Sequence, residues 1–311
     1  MSNRIAGLHH ITAIAGNAKR NYDFYTGVLG LRMVKKTVNF DDPGTYHFYF
    51  GNQTGTPGTI LTFFPWEGIG AGKIGTGMAT EISYSVPSGS LGFWVNRFQQ
   101  FKVNHEPMFE RFGEKVLSFT DPDGLKINLV EPLQQDKRIA WKTAGITQEE
   151  GIKGFHSVVL LLHDIKATAS ILTEVFEYRL QGKEGNRYRF FTDAVEDAAI
   201  VDLVEAPEMG RGINAAGTNH HVAFRVADEK ILMNFREKIA ARGLSITPKI
   251  DRNYFFSLYF REPGGVLFEL ATDNPGFVTD ETIDKLGTSL RLPEQYESSR
   301  VKIEAQLPKL D

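Results

Sequence analysis

The chain contains no cysteine. That absence removes disulfides, thiolate metal ligands and a cysteine nucleophile together, so any metal must be held by nitrogen and oxygen. Charge of one sign is lacking too: 35 basic side chains stand against 38 acidic ones, a formal net charge of −3. The basic residues are scattered rather than gathered in stripes, which leaves no electrostatic footprint for nucleic acid or an anionic membrane. Long apolar runs are also missing. The longest, residues 158–162, falls far short of the roughly 20 residues that span a bilayer. Residues 1–7 carry no apolar signal core, so a cytoplasmic location is expected. With 311 residues, 41% hydrophobic and 23% charged, the chain has the profile of two globular domains with buried cores. A homo-oligomer is compatible with this composition.

What the sequence does contain is a pattern that recurs four times, at intervals of about 65 to 80 residues. In the first copy an apolar strand (8–14) precedes a helical period (18–29) and three strands (33–40, 45–50, 59–64). The second copy repeats this order with a strand at 80–86, a helix at 91–100 and strands at 106–112, 115–120 and 126–131. The third has 154–162, a helix at 167–176, then 178–182, 187–192 and 199–205; the fourth has 219–226, a helix at 228–242, then 245–250, 254–261 and 266–271. The unit is βαβββ and the fold class α+β. In copies two and four the last two strands are joined by Asp121-Pro122-Asp123-Gly124 and Glu262-Pro263-Gly264-Gly265, with Pro and Gly where a tight hairpin needs them.

Glycine-rich links (66–77 and 206–217) join the copies within each half. The first formally contains G-x-G-x-x-G from Gly70 to Gly75, but it runs into a strand, so it aims no helix N-terminus at a phosphate. The expected organisation is a first domain at 1–135 (modules 7–65 and 79–132) and a second at 151–273 (modules 153–206 and 218–272), with a polar linker at 133–150. A tail, 274–311, lies outside the repeat.

Five of the eight histidines sit on opening strands: His9, His10, His156, His220 and His221. A curled βαβββ pair encloses a cup, and such histidines would point into it beside side chains of the closing strands. Two imidazoles and one carboxylate on one face suit iron(II) or manganese(II) and leave three positions open. Aligning the closing strands on their turns puts Thr62, Asn128, Asp202 and Glu269 at one place. Glu269 is flanked by apolar residues, where an unpaired charge costs several kcal/mol. A metal would remove that cost; pairing with Arg252 or Arg261 is the bland alternative. His47 lies in an alternating strand and could line the same cup, but a cross-strand surface pair is the expected role; His105 and His163 are expected in solvent. His156 and Asp202, with Glu81 at the matching place in copy two, are expected to fill space as remnants of duplication.

The motifs Gly7-Leu8-His9-His10-Ile11-Thr12, Asn21-Tyr22-Asp23-Phe24-Tyr25, Asn219-His220-His221-Val222 and Val266-Leu267-Phe268-Glu269 resemble the vicinal oxygen chelate superfamily. That superfamily includes glyoxalases, bleomycin resistance proteins and extradiol dioxygenases. More narrowly the chain is similar to its hydroquinone-cleaving dioxygenases, a likeness that extends to Asp251-Arg252-Asn253-Tyr254 and Ser257-Leu258-Tyr259. The resemblance implies two domains of curled mixed sheets and an Fe(2+) or Mn(2+) ion on His10, His221 and Glu269. It also implies catalytic roles for His9, His220, Arg252 and Tyr259, with an aromatic diol and O2 as the reactants.

In that chemistry both oxygen atoms enter the opened ring. His9 or His220 would remove the second hydroxyl proton of a para-diol, while Arg252 and Tyr259 stabilise negative charge. Strand alternation sets His9 opposite His10 and His220 opposite His221, so one of each pair faces the metal. Arg252 and Tyr259 differ in parity, so a turn or bulge must separate them if both reach the site. If copies three and four share a cup, the ligands are His156, His221 and Glu269; if copies one and four do, His10 replaces His156. The doubled histidine in copies one and four favours the second pairing. The competing functions are a glyoxalase or fosfomycin-resistance type of lyase or transferase, and a metal-free aromatic-binding resistance protein.

Overall fold

The computed structural model describes residues 3–310. Met1 and Ser2 at the start of the first segment, and Asp311 at the end of the tail, lie outside the described residues. Module one comprises β1 (Leu8–Ala15), α1 (Ala18–Asp23), β2 (Arg32–Val38), β3 (Tyr46–Gly51) and β4 (Ile60–Pro65). The Asn17 side chain accepts the Arg20 N–H and so starts α1, which widens into a π-helical turn over Phe24–Val28. Module two has β5 (Met78–Ser85), α2 (Leu91–Phe101), β6 (Phe109–Arg111), β7 (Glu114–Thr120) and β8 (Lys126–Glu131). Module three has β9 (Gly154–Leu162), α3 (Lys166–Ser170), β10 (Arg179–Glu184), β11 (Arg187–Phe191) and β12 (Ile200–Glu205). In module four, β13 (Thr218–Val226) leads to α4 (Glu229–Ala241), capped by Asp228, and to β14 (Ile250–Asp251), β15 (Phe255–Arg261) and β16 (Leu267–Pro275).

These strands form two curled eight-stranded mixed sheets, ordered β14-β15-β16-β13-β1-β4-β3-β2 and β10-β11-β12-β9-β5-β8-β7-β6. At the centre of each sheet two opening strands run antiparallel, and each is flanked in parallel by its own closing strand. Modules one and four therefore share one sheet, and modules two and three the other. The segments 1–135 and 151–273 each contribute one module to each sheet. β1 is buried on both faces, and β9, nearly so, ends in the unbroken apolar run 158–162.

The glycine-rich links meet each other. Lys73 pairs with Ile213 and Thr76 with Arg211, and a Cβ on Gly75 would collide with the Gly210 carbonyl oxygen. Gly72 and Gly75 of the apparent dinucleotide motif thus permit two backbones to cross. The tail packs along β2: the Arg291 N–H donates to the Lys36 carbonyl at 2.9 Å, and Glu281 and Asp280 hold the buried ammonium of Lys35. Among the described residues no helix is long and apolar enough to cross a membrane.

Candidate metal centre

Two β-bulges shape the centre of the first sheet. In the β1–β13 ladder Leu8 pairs with Phe224 and His10 with Ala223, so His9 is the extra residue; the second shift, between Thr12 and Ala13, makes His220 the extra residue on β13. A bulged residue escapes strict alternation. The Nδ1 atoms of His9 and His10 consequently stand 2.9 Å apart, and those of His220 and His221 2.8 Å. His9 still leaves the cup, as alternation predicts. His220 does not: its ring and that of His221 line one cavity.

His10, His221 and Glu269 come together. Their donor atoms lie within 4.8 Å of one another, and among the described residues this is the one cluster of its kind. Nε2 of His10 is 3.2 Å and Nε2 of His221 2.9 Å from Oε2 of Glu269. No N–H is aligned with the carboxylate, and both Glu269 oxygens and Nε2 of His221 are buried without a hydrogen bond. Neither arginine takes up the charge: Arg261 donates to the Gly265 carbonyl, and the Arg252 guanidinium lies over the Tyr259 ring, 5.2 Å from its centroid. Burial alone would raise the Glu269 carboxyl, yet His10 and His221 hold it well below the ordinary range. Burial also lowers His221, against the pull of Glu269. An ionised carboxylate and a deprotonated imidazole are the forms that bind a cation, and orphaned buried donors fit one.

The neighbouring rings set the tautomers. Nε2 of His9 is 3.1 Å from the Thr272 carbonyl, which can only accept, so Nε2 carries the proton. Burial, and then His10, keep His9 neutral; its bare Nδ1 therefore accepts the Nδ1–H of His10 and leaves the His10 Nε2 lone pair facing Glu269. Among the described residues no carbonyl fixes the second pair in this way: the Nδ1 atoms of His220 and His221 face each other, and Nε2 of His220 is turned to the cavity. Burial and His221 hold the His220 pKa at about 3.

Arg252 sits in the β14–β15 turn, where Asn253 adopts φ 66°, and Tyr259 opposes Glu269 across β15–β16. The turn reconciles their opposite parity. The cavity beside the triad measures about 380 Å³, with Phe64, Trp66 and Phe255 among its walls. His47 was expected on the surface; instead it lines this cavity and bonds to Thr62 and Tyr49. Its signal was legible, since Tyr49 pairs directly with Thr62 and His47 shares the parity of Tyr49. His163 is exposed, as expected, whereas His105 is half-buried against Phe98.

In the second sheet the equivalent centre is closed by arginines. Asp202 accepts from Arg189 Nε at 2.9 Å and from Arg187 at 3.3 Å, Glu81 from Arg187 and Arg111, and Nε2 of His156 lies 3.1 Å from Glu114. His156 and Asp202 do not converge on each other; guanidinium groups neutralise the carboxylates.

The model of the Glyoxalase/Bleomycin resistance protein/Dioxygenase superfamily matches residues 7–129 and 154–270. The chain belongs to this superfamily. Within it, the chain is 46% identical over 307 residues to MhqO of Bacillus subtilis strain 168, named as a ring-cleaving dioxygenase, covering 99% of this chain and 97% of that one. A chlorohydroquinone/hydroquinone 1,2-dioxygenase of Sphingobium indicum is 36% identical over 302 residues, covering 94% and 93%. A crystal structure described as a dioxygenase from Bacillus subtilis superimposes with a TM-score of 0.95 at 45% identity, over 100% of this chain and 99% of that one.

Proposed function

We propose that the protein is a metal-dependent ring-cleaving dioxygenase that opens a hydroquinone-type, para-dihydroxylated ring, with both atoms of O2 entering the product. One observation carries this reading: two imidazoles meet a carboxylate that has no hydrogen bond, beside an aromatic-walled cavity. The names of the full-length relatives support the enzyme class and, for the Sphingobium protein, the substrate class.

His10, His221 and Glu269 would hold a divalent Fe(2+) or Mn(2+) ion, whose preferred donors are imidazole nitrogen and carboxylate oxygen. When bound, the ion supplies Lewis-acid activation of the diol and a route for electrons to O2. His9 keeps the His10 lone pair on the ligand side. His220 exchanges the proton of a ring hydroxyl through its cavity-facing nitrogen. Arg252 balances the charge that builds on a ring oxygen, and Tyr259, whose hydroxyl burial and Glu269 keep protonated, donates a hydrogen bond to it. Phe64, Phe255 and Trp66 stack against the ring and exclude water.

Anaerobic purification, metal analysis and oxygen uptake with a panel of hydroquinones and catechols test this. Bound iron or manganese and hydroquinone-dependent uptake are expected. Uptake by the metal-free protein would overturn the reading, and turnover of catechols alone would overturn its substrate class.

A further inference from the structure

A second chain of hydrogen bonds runs through the cup. The Tyr49 hydroxyl lies 2.9 Å from Nδ1 of His47, Nε2 of His47 3.0 Å from Oγ1 of Thr62, and Oγ1 of Thr62 2.8 Å from Oγ1 of Thr12. Tyr49, Thr62 and Thr12 are buried, and the His47 ring is wedged between Tyr49 and Phe64 at centroid distances of 4.1 and 4.4 Å.

Thr62 holds in module one the position of Glu269 in module four. Thr62 pairs with Thr12 on β1 and Glu269 with Ala223 on β13, and Thr12 and Ala223 each lie two residues beyond a triad histidine. In the second sheet this position is Asp202, bonded by Arg189, which opposes it across β11–β12 as Tyr49 opposes Thr62 across β3–β4. In both sheets, then, the adjoining strand supplies the group that ties this corner down. The first sheet uses neutral groups.

Their direction follows from donor strength. A phenol donates readily to an imidazole nitrogen, so Tyr49 O–H donates to Nδ1; the neutral ring carries its proton on Nε2 and donates to Thr62, which donates to Thr12. Burial, then His10 and His221, keep His47 uncharged. We propose that His47 is a positioning residue: acting through Thr62 and Thr12, it holds the corner matched to Glu269 as two internally bonded hydroxyls, which leaves the open side of the triad to the aromatic substrate. This rests on the dioxygenase reading. Without the His47 N–H, the Thr62 hydroxyl is free to turn toward the triad and compete for that side.

The test compares wild type with His47→Phe, His47→Gln and Tyr49→Phe, all purified anaerobically. Every variant is expected to retain metal. His47→Phe should lower kcat/KM for hydroquinone by roughly 10 to 100-fold, mostly through KM. His47→Gln, whose amide accepts from Tyr49 and donates to Thr62, should recover most of it. Should His47→Phe not fold, Tyr49→Phe carries the kinetic arm, with a smaller loss in the same direction. In metal-free wild type, long-range ¹⁵N–¹H spectra should show His47 with Nδ1 bare and Nε2 protonated. Unchanged kcat/KM, loss of metal, or a proton on Nδ1 would each overturn the proposal. No oxygen uptake by wild type with any hydroquinone would instead overturn the dioxygenase reading, and the spectra of metal-free protein would still decide the tautomer.

Discussion

His9 and His220 occupy the same bulged position on two antiparallel strands, yet the Thr272 carbonyl closes Nε2 of His9 while Nε2 of His220 has no protein partner among the described residues and opens to the cavity. The pseudo-symmetry of modules one and four thus breaks at the atom where proton transfer would occur. One histidine is fastened on both nitrogens; the other keeps one free.

This difference predicts opposite phenotypes. His220→Ala should retain metal and lose roughly 10² to 10⁴-fold in rate. His9→Ala should weaken metal retention by about 10 to 100-fold, because the His10 ring loses the acceptor that orients it. Metal analysis beside oxygen uptake separates them, and loss of metal from His220→Ala would make His220 a ligand.

Glu269→Ala is expected to abolish both metal retention and turnover. In wild type, a divalent ion at 100 times its dissociation constant should stabilise the fold by about 2.7 kcal/mol, seen as a higher Tm that a chelator reverses. The variant should show no such response. A metal-dependent Tm in Glu269→Ala would count against the triad.

The pairing of modules one and four is tested by His10→Ala and His156→Ala under identical anaerobic conditions. His10→Ala should lose bound metal and hydroquinone-dependent oxygen uptake. His156→Ala should keep most of each and lose about 1 to 3 kcal/mol of stability, since Glu114 loses a buried partner. The reverse pattern would refute the assignment.

Arg189→Leu leaves Asp202 and Glu114 short of their cation, so it should destabilise the fold by about 3 to 5 kcal/mol with metal content unchanged. The pH dependence has a definite sign. Burial would raise the Glu114 carboxyl, but His156 and Arg189 hold it at about 2. Its contribution is present above the ordinary glutamate range and fades as pH falls toward 2. Urea unfolding of wild type and Glu114→Gln should therefore differ more at pH 7 than at pH 3; an equal gap would mean that the pairing contributes nothing.

Much of this molecule is legible along the chain. Apolar periodicity and the Pro-Gly turns at Asp121–Gly124 and Glu262–Gly265 identify four βαβββ modules, and the apolar neighbours of Glu269 mark a buried carboxylate that requires a partner. These are local signals, carried by residues within one strand or one turn. The doubled histidines also favour the pairing of modules one and four; tertiary structure alone decided that His9 and His220 are bulged, that Thr272 closes one of them, and that His47 reaches Thr62 inside the cup. The physical reason is register: a bulge adds one residue to a ladder between strands some 200 positions apart, and a shift of one residue reverses which face a side chain takes. Alternation within either strand carries no record of it.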